Sequence, residues 1–174
     1  MPPQRSLRGF LWVGCRAACG GDGTSSGKTL YISGIPDQNA STIVRRFDGF
    51  SEYLSQQLGV EVKYVPSVNY AASVVGFKNG DIHLAWFGGL TGVQARLAVP
   101  GSRAIAQRPR DEQFHSKFIA RASLDVNKLV DLKGLSFTFG SESSTSGHLM
   151  PRHFLVQQGI DPDSDFDGPP GFSG

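Results

Sequence analysis

The stretch "TLYISGIPDQNASTIVRRFDGFSEYLSQQLGVEVKYVP", Thr29 to Pro66, decides the fold. Thr29–Ile35 reads as a strand closed by Pro36-Asp37. In Ser41–Leu58 the apolar residues Ile43, Phe47, Phe50, Leu54 and Leu58 fall in steps of four, three, four and four, which puts one stripe on one helix face. Ser41 is the expected N-cap and Gly59 the C-terminal stop. Val60–Pro66 alternates, is rich in β-branched residues, and reads as a second strand.

The same alternation continues outward. Asn69–Lys78 reads as a helix ended by Asn79-Gly80, Asp81–Phe87 as a third strand, and Gly88-Gly89 as the opening of a helix to about Leu97. Strand, helix, strand, helix, strand, helix implies a parallel sheet with helices on both faces, an α/β fold. Ligands of such sheets lie outside the carboxyl ends of the strands. The loops Pro36–Ser41, Pro66–Tyr70, Phe87–Thr91 and Gly140–His148 are therefore the ones to inspect. "RAIAQ" and "FHSKFIAR" read as two further strands. After Ala120 the pattern restarts, with a helix at Leu124–Leu132, a strand at Leu135–Gly140 and a helix at about His148–Gln158. The tail "IDPDSDFDGPPGFSG" is rich in Asp, Pro and Gly and offers almost nothing to bury. This second unit is too small to hide both faces of a sheet, so the chain reads as interrupted within a second α/β lobe and marginal in stability by itself.

Composition narrows the function. The chain has 174 residues, of which 39% are hydrophobic, enough for a core. A net charge of +2, without a dense Lys/Arg run, excludes an electrostatic case for nucleic acid. No apolar run reaches the roughly 18 residues needed to cross a bilayer. The leader, residues 1–28, has Arg5 and Arg8, a short apolar stretch, then "RAAC" and a Gly/Ser-rich run. That order fits a degraded lipoprotein-type export signal with Cys19 as the lipidated residue and the Gly/Ser run as a tether. It equally fits an unstructured leader, because Arg16 stands where an aliphatic residue belongs.

The motif with most chemistry is "SESSTSGHLMP", Ser141–Pro151, between a strand and a helix. Backbone N–H groups and the helix dipole favour an anion there, and Ser and Thr hydroxyls add neutral donors. The same residues are ordinary N-caps, so cap and cradle both fit. It is not a P-loop, because the Lys and the glycine spacing are absent. Glu142 would repel an anion unless it points away or the anion carries a proton. Pro151 requires a helix start close by or a kink. Gly88-Gly89 offers backbone donors, Tyr70 a phenolic one, and Trp86 reads as core. His83, His115, His148 and His153 are not at metal-ligand spacing, so neither a metal nor another cofactor is expected. No nucleophile elbow appears and no Cys falls in the folded region, so no catalytic residue is assigned.

From Thr29 to Gly174 the chain resembles the substrate-binding proteins of phosphonate-, phosphite- and phosphate-type ABC transporters, nearest the branch labelled selenate-binding. "ISGIPDQN", "VPSVNYAASVVGFKNGDIHLAWFGGLTGVQAR", "AIAQR", "FHSKFIA" and "SSTSGHLMPRHF" carry the resemblance. It implies a type II periplasmic-binding-protein-like fold of two α/β lobes, the first at 29–115 and the second, incomplete, at 116–174. It also implies capture of a small tetrahedral oxyanion (phosphonate, phosphite, phosphate or selenate) in an interlobe cleft, and delivery to a membrane permease by a periplasmic or lipid-anchored, extracytoplasmic, monomeric protein. Tyr70 matches a tyrosine lining the family's oxyanion site, and Ser144, Thr145 and Ser146, followed by Gly147, match its Ser-Thr-Ser grip. Phe87-Gly88 stands at a Tyr-Gly or Phe-Gly pair, and Phe114 where phosphonate binders have a second tyrosine. The family is longer than this chain, so a non-functional fragment is an open alternative. An enzyme or sensor of related two-lobed fold is another.

Overall fold

The computed structural model describes residues 28–173; the expected leader and Cys19 lie outside the described residues. The first unit runs β1 (Leu30–Gly34), α1 (Ala40–Leu58), β2 (Val62–Tyr64), α2 (Tyr70–Asn79), β3 (Leu84–Trp86) and α3 (Gly89–Ala98). Its sheet has the order β2-β1-β3, with every pair parallel. The chain leaves β1 toward β2, then crosses back over it to β3. Right-handed crossovers in opposite directions put α1 and α2 on opposite faces. The carboxyl ends of β1 and β3 flank the point where strand order reverses, the place where such sheets leave a crevice.

Side-chain chemistry explains the register. Ile32 and Ser33 of the central strand are both buried, and the Ser33 hydroxyl is satisfied by donating to the Val65 carbonyl at 2.7 Å. Gly34 makes room for α1: a Cβ there would lie 2.6 Å from the Phe47 ring. Phe47 in turn stacks on Tyr64 of β2 at 4.5 Å. The inward face of α1 is Ile43, Phe47, Ser51 and Leu54, whereas Phe50 and Leu58, expected in the stripe, are exposed. The helix also begins earlier than its apolar pattern. Asn39, not Ser41, is the N-cap, its side chain accepting from Ser41 N at 3.0 Å. An Asn oxygen reaching two residues ahead satisfies an N-terminal amide that a cap at Ser41 would leave open. Asn69 caps α2 through Ala72 N at 2.8 Å.

The second unit is smaller. A 3₁₀ turn (Leu129–Leu132) replaces the expected helix at 124–132. The Asp131 carboxylate accepts from both Asn127 N and Lys128 N at 3.0 Å, so these amides bond to a side chain rather than to a preceding turn. β4 (Thr138–Phe139) pairs in parallel with β5 (Gly171–Phe172), and α4 (Met150–Gln157) lies between them in sequence. The segments at 103–107 and 114–121 form no ladder among the described residues. Both have β-forming composition but no neighbouring strand, and Ile105 and Ile119 are 70% and 93% exposed.

The tail corrects the sequence reading most. Ile160 and Phe166 are buried with Leu132, Phe139 and Leu155 in the core of the second unit. Phe166 stacks on Phe137 at 4.7 Å. The Asp and Gly residues between them form turns that return the chain to the core, tied by Gly134 N to Asp165 O (2.7 Å) and Asp167 N to Leu135 O (3.1 Å). Phe166→Ala should therefore cost about 3 kcal/mol or more, as for other core aromatics. Urea unfolding would measure it, and a loss near zero would remove the tail from the core.

Asp165 is the polar counterpart. Its carboxylate accepts from Asp161 N at 2.8 Å and pairs with Lys133 at 3.0 Å. The Asp161 amide first, and Lys133 second, hold its pKa below the ordinary 3.8. A depressed carboxyl pKa adds stability above 3.8 that is lost as pH falls through the lower folded value. Asp165→Asn should lower the thermal midpoint at neutral pH, and the gap from the parent should close on acidification below 3.8. A gap that persists in acid would assign the effect to packing.

Candidate functional site

The turn after β4 is built on two glycines. Gly140 N donates to the Gly147 carbonyl at 2.8 Å. The two backbones touch so closely that a Cβ on Gly140 would lie 2.9 Å from Gly147 Cα. The carbonyl is available because of Pro151. In an α-helix Gly147 O would accept from residue 151, but proline has no N–H. The first turn accordingly opens to a π turn (Thr145–Leu149), with Met150 N donating to Thr145 O, and runs directly into α4. Pro151 thus sits in the first turn of α4, the close-by helix start that proline requires, and the π turn before it takes up the missing N–H.

Ser144 is the N-cap. Its hydroxyl oxygen accepts from Gly147 N at 3.0 Å, and its carbonyl accepts from His148 N and Leu149 N. The amides of Thr145 and Ser146 have no protein acceptor among the described residues. The cap therefore uses Ser144 and leaves the next two amides without a protein acceptor. His148 is held by Glu142 O at 2.8 Å from its Nδ1, and its ring sits edge-on between Phe139 and Phe172. Glu142 itself is exposed. Among the described residues no group of three or more His, Cys, Asp or Glu could hold a metal.

The two units meet at this turn. Thr145 Oγ1 accepts from Leu90 N, at the start of α3, at 2.7 Å. Gly88 and Gly89 lie against the same side chain, since a Cβ on Gly89 would be 3.1 Å from Thr145 Oγ1. Tyr70, the first residue of α2, faces Ser144. Burial raises its phenol pKa, and hydrogen bonding from the Ser144 side chain opposes that shift. The net direction is upward, so the phenol keeps its proton at neutral pH. Ser146 and Phe114 share the wall of a cavity of about 520 Å³ with Ser116, Phe118, Leu129, Met150 and Phe154. Phe87 packs its ring on Phe77 at 5.6 Å, so only its backbone adjoins Gly88 at the turn. Trp86 lies under the Arg108 guanidinium at 5.0 Å, beside a smaller cavity, and is half-buried where core was expected.

Two participants escaped the sequence. The Leu90 amide is a backbone group, signalled only by the glycine pair before it. Ser116 anchors the turn by donating to Ser146 O at 2.7 Å, and nothing in "FHSKFIA" marks it.

A parallel sheet with its switch point beside a hydroxyl- and amide-lined turn from a second α/β unit defines a ligand-binding protein of the type II periplasmic class. Residues 32–174 match the model of the family described as "ABC transporter, phosphonate, periplasmic substrate-binding protein", and the chain belongs to that family. Its members are substrate-binding components of transporters, not enzymes. The chain is 51% identical over 143 residues to the "Probable ABC transporter phosphite binding protein PhnD1" of Prochlorococcus marinus (strain MIT 9301), covering 79% of this chain and 48% of that one. It is 30% identical over 138 residues to the phosphate-import protein PhnD of Mycolicibacterium smegmatis (strain ATCC 700084 / mc(2)155), covering 76% and 43%. The solved structure of PhnD1 in complex with methylphosphonate superposes with a TM-score of 0.72 at 44% identity, over 84% of this chain and 56% of that one. The chain thus spans about half the length of the relatives it matches.

The glycine contact gives a direct test of the turn. Gly140→Ala places a methyl against backbone that cannot yield. Amide signals of residues 144–149 should shift or broaden by NMR while those of α1 stay put. An unperturbed turn would show that the contact is looser than described.

Proposed function

We propose that this chain is the solute-binding component of an ABC importer and that it captures a phosphonate or phosphite without chemistry. The observation that carries this is the pair of open amides at Thr145 and Ser146, set beside the hydroxyls of the same residues and the Tyr70 phenol. Neutral donors at a helix N-terminus suit an oxyanion. The names of the relatives, phosphite binding and phosphate import, and the methylphosphonate complex of PhnD1 point the same way.

The cavity narrows the ligand. Beside Thr145 and Ser146 its wall carries Phe114, Phe118, Leu129, Met150 and Phe154, together with the polar His115, Ser116 and Gln158. An anion with one non-oxygen substituent can put that substituent against carbon and its oxygens on the turn. Phosphonate and phosphite meet this demand; phosphate, selenate and sulfate carry a fourth oxygen, which is unpartnered wherever it meets the phenylalanine and methionine side chains. Ser144, Thr145, Ser146 and Gly147 are assigned to the oxygens, Tyr70 and Gly88 to the opposite side, Phe87 to backbone support and Phe114 to the rim. The lobes are assigned to residues 29–115 and from 116 onward, and the ligand is handed to a membrane permease after hinge closure. The working place is extracytoplasmic, with Cys19 as the candidate anchor.

Calorimetry of this chain with methylphosphonate, phosphite, phosphate, selenate and sulfate tests the assignment. Binding should be strongest for the first two. Ser146→Ala should weaken it about 10- to 100-fold, the worth of a hydrogen bond to a charged group. Absence of heat with every anion, or binding indifferent to Ser146→Ala, would end the proposal.

A further inference from the structure

The start of α3 lacks a cap of its own. Its N-cap residue is Gly88, which has no side chain, and the nearby Thr91 hydroxyl is already engaged by accepting from Gly88 N at 3.0 Å. The first amides of a helix have no intrahelical acceptor and must find one elsewhere. Leu90 N finds Thr145 Oγ1 at 2.7 Å, from the other unit, 55 residues along the chain. Gly89 is the seat for that side chain, because a Cβ there would crowd Thr145 Oγ1 at 3.1 Å and Cγ2 at 3.3 Å. The bond is an N-cap supplied from the second unit, made from a residue of the turn itself.

A threonine hydroxyl has two acceptor lone pairs and one O–H. Receiving the Leu90 amide leaves the O–H free to donate. The positive end of the α3 dipole also makes that O–H a better donor. We propose that Thr145 is a positioning residue that couples the lobes: it latches the second lobe to α3, and its O–H then binds an anion oxygen, so anion binding and closure stabilise one another. The anion half of this inference rests on the proposed function above; the latch half stands on the Leu90 bond alone. A ligand that engages Thr145 must offer an acceptor oxygen there, because no second proton can be placed between them.

Three variants of the full chain separate the parts. Thr145→Val keeps the shape and removes the hydroxyl, Thr145→Ser keeps the hydroxyl, and Gly89→Ala crowds the seat. Without ligand, hydrogen exchange at the Leu90 amide should rise about 5- to 30-fold in Thr145→Val, the worth of one helix cap, and return to the parent rate in Thr145→Ser. Gly89→Ala should behave like Thr145→Val. With methylphosphonate, Leu90 exchange in the parent should slow further, and affinity should fall by a similar factor in Thr145→Val and recover in Thr145→Ser. Unchanged Leu90 exchange in Thr145→Val, or no rescue by serine, overturns the latch. Should valine prevent folding, the contrast between Thr145→Ser and Gly89→Ala decides, and equal exchange in both overturns it. Slowed exchange that ligand does not deepen overturns the coupling. A parent that binds no anion at all defeats the proposed function and the coupling, while the ligand-free exchange still decides the latch.

Discussion

The hydrogen bond from Gly140 N to the Gly147 carbonyl fixes where the second unit meets the first. It exists because Pro151 cannot donate to that carbonyl, so the first helical turn widens and the freed oxygen turns back to the strand end. It also requires two residues without a Cβ, because nothing larger than hydrogen fits between the two backbones. Once that bond is made, Ser144 is set as the cap, Thr145 is aimed at α3, and Ser146 is turned so that Ser116 can hold its carbonyl. A regular α-helix in the same place would use the Gly147 carbonyl internally and leave the turn unanchored.

The first unit supplies the complementary surface through topology. In the order β2-β1-β3, α2 and α3 both start at the carboxyl edge of the sheet, with Tyr70 and Gly89 as their first residues. Their positive ends meet the turn that opens the helical run in the second unit. Positive potential is thus gathered from peptide dipoles and hydroxyls. The Arg108 guanidinium is occupied by Asp111 at 2.7 Å and by the Trp86 ring.

Much of this was legible in the sequence, and the reasons differ by element. The strands and helices of the first unit were, because periodicity and turn residues agree there, as at Gly59 and Gly80, which take left-handed caps. The start of α1 was not, because apolar spacing marks the inward face while Asn39 acts through a side-chain oxygen outside it; the starts read at Asn69 and Gly88-Gly89 were. The tail misled because three buried residues, Ile160, Pro162 and Phe166, outweigh the many polar ones around them. The segments 103–107 and 114–121 misled for the opposite reason: β propensity is realised only where a neighbouring strand supplies the ladder. In the site, the Ser-Thr-Ser turn announced itself by composition. The Leu90 amide and the Ser116 hydroxyl did not, since their roles arise only when distant elements are brought together.

The His148 ring lies between Phe139 of β4 and Phe172 of β5, two strands separated in sequence by α4 and the whole Ile160–Pro170 loop. Parallel pairing over such a separation costs loop-closure entropy before any contact rewards it. On a chain emerging from the ribosome, the turn at 141–149 is therefore synthesised well before the strand that closes over its histidine. The elements of the first unit up to Ala98 are all synthesised before the turn. In order of synthesis α3 therefore precedes the partner that caps it, and β5 follows both.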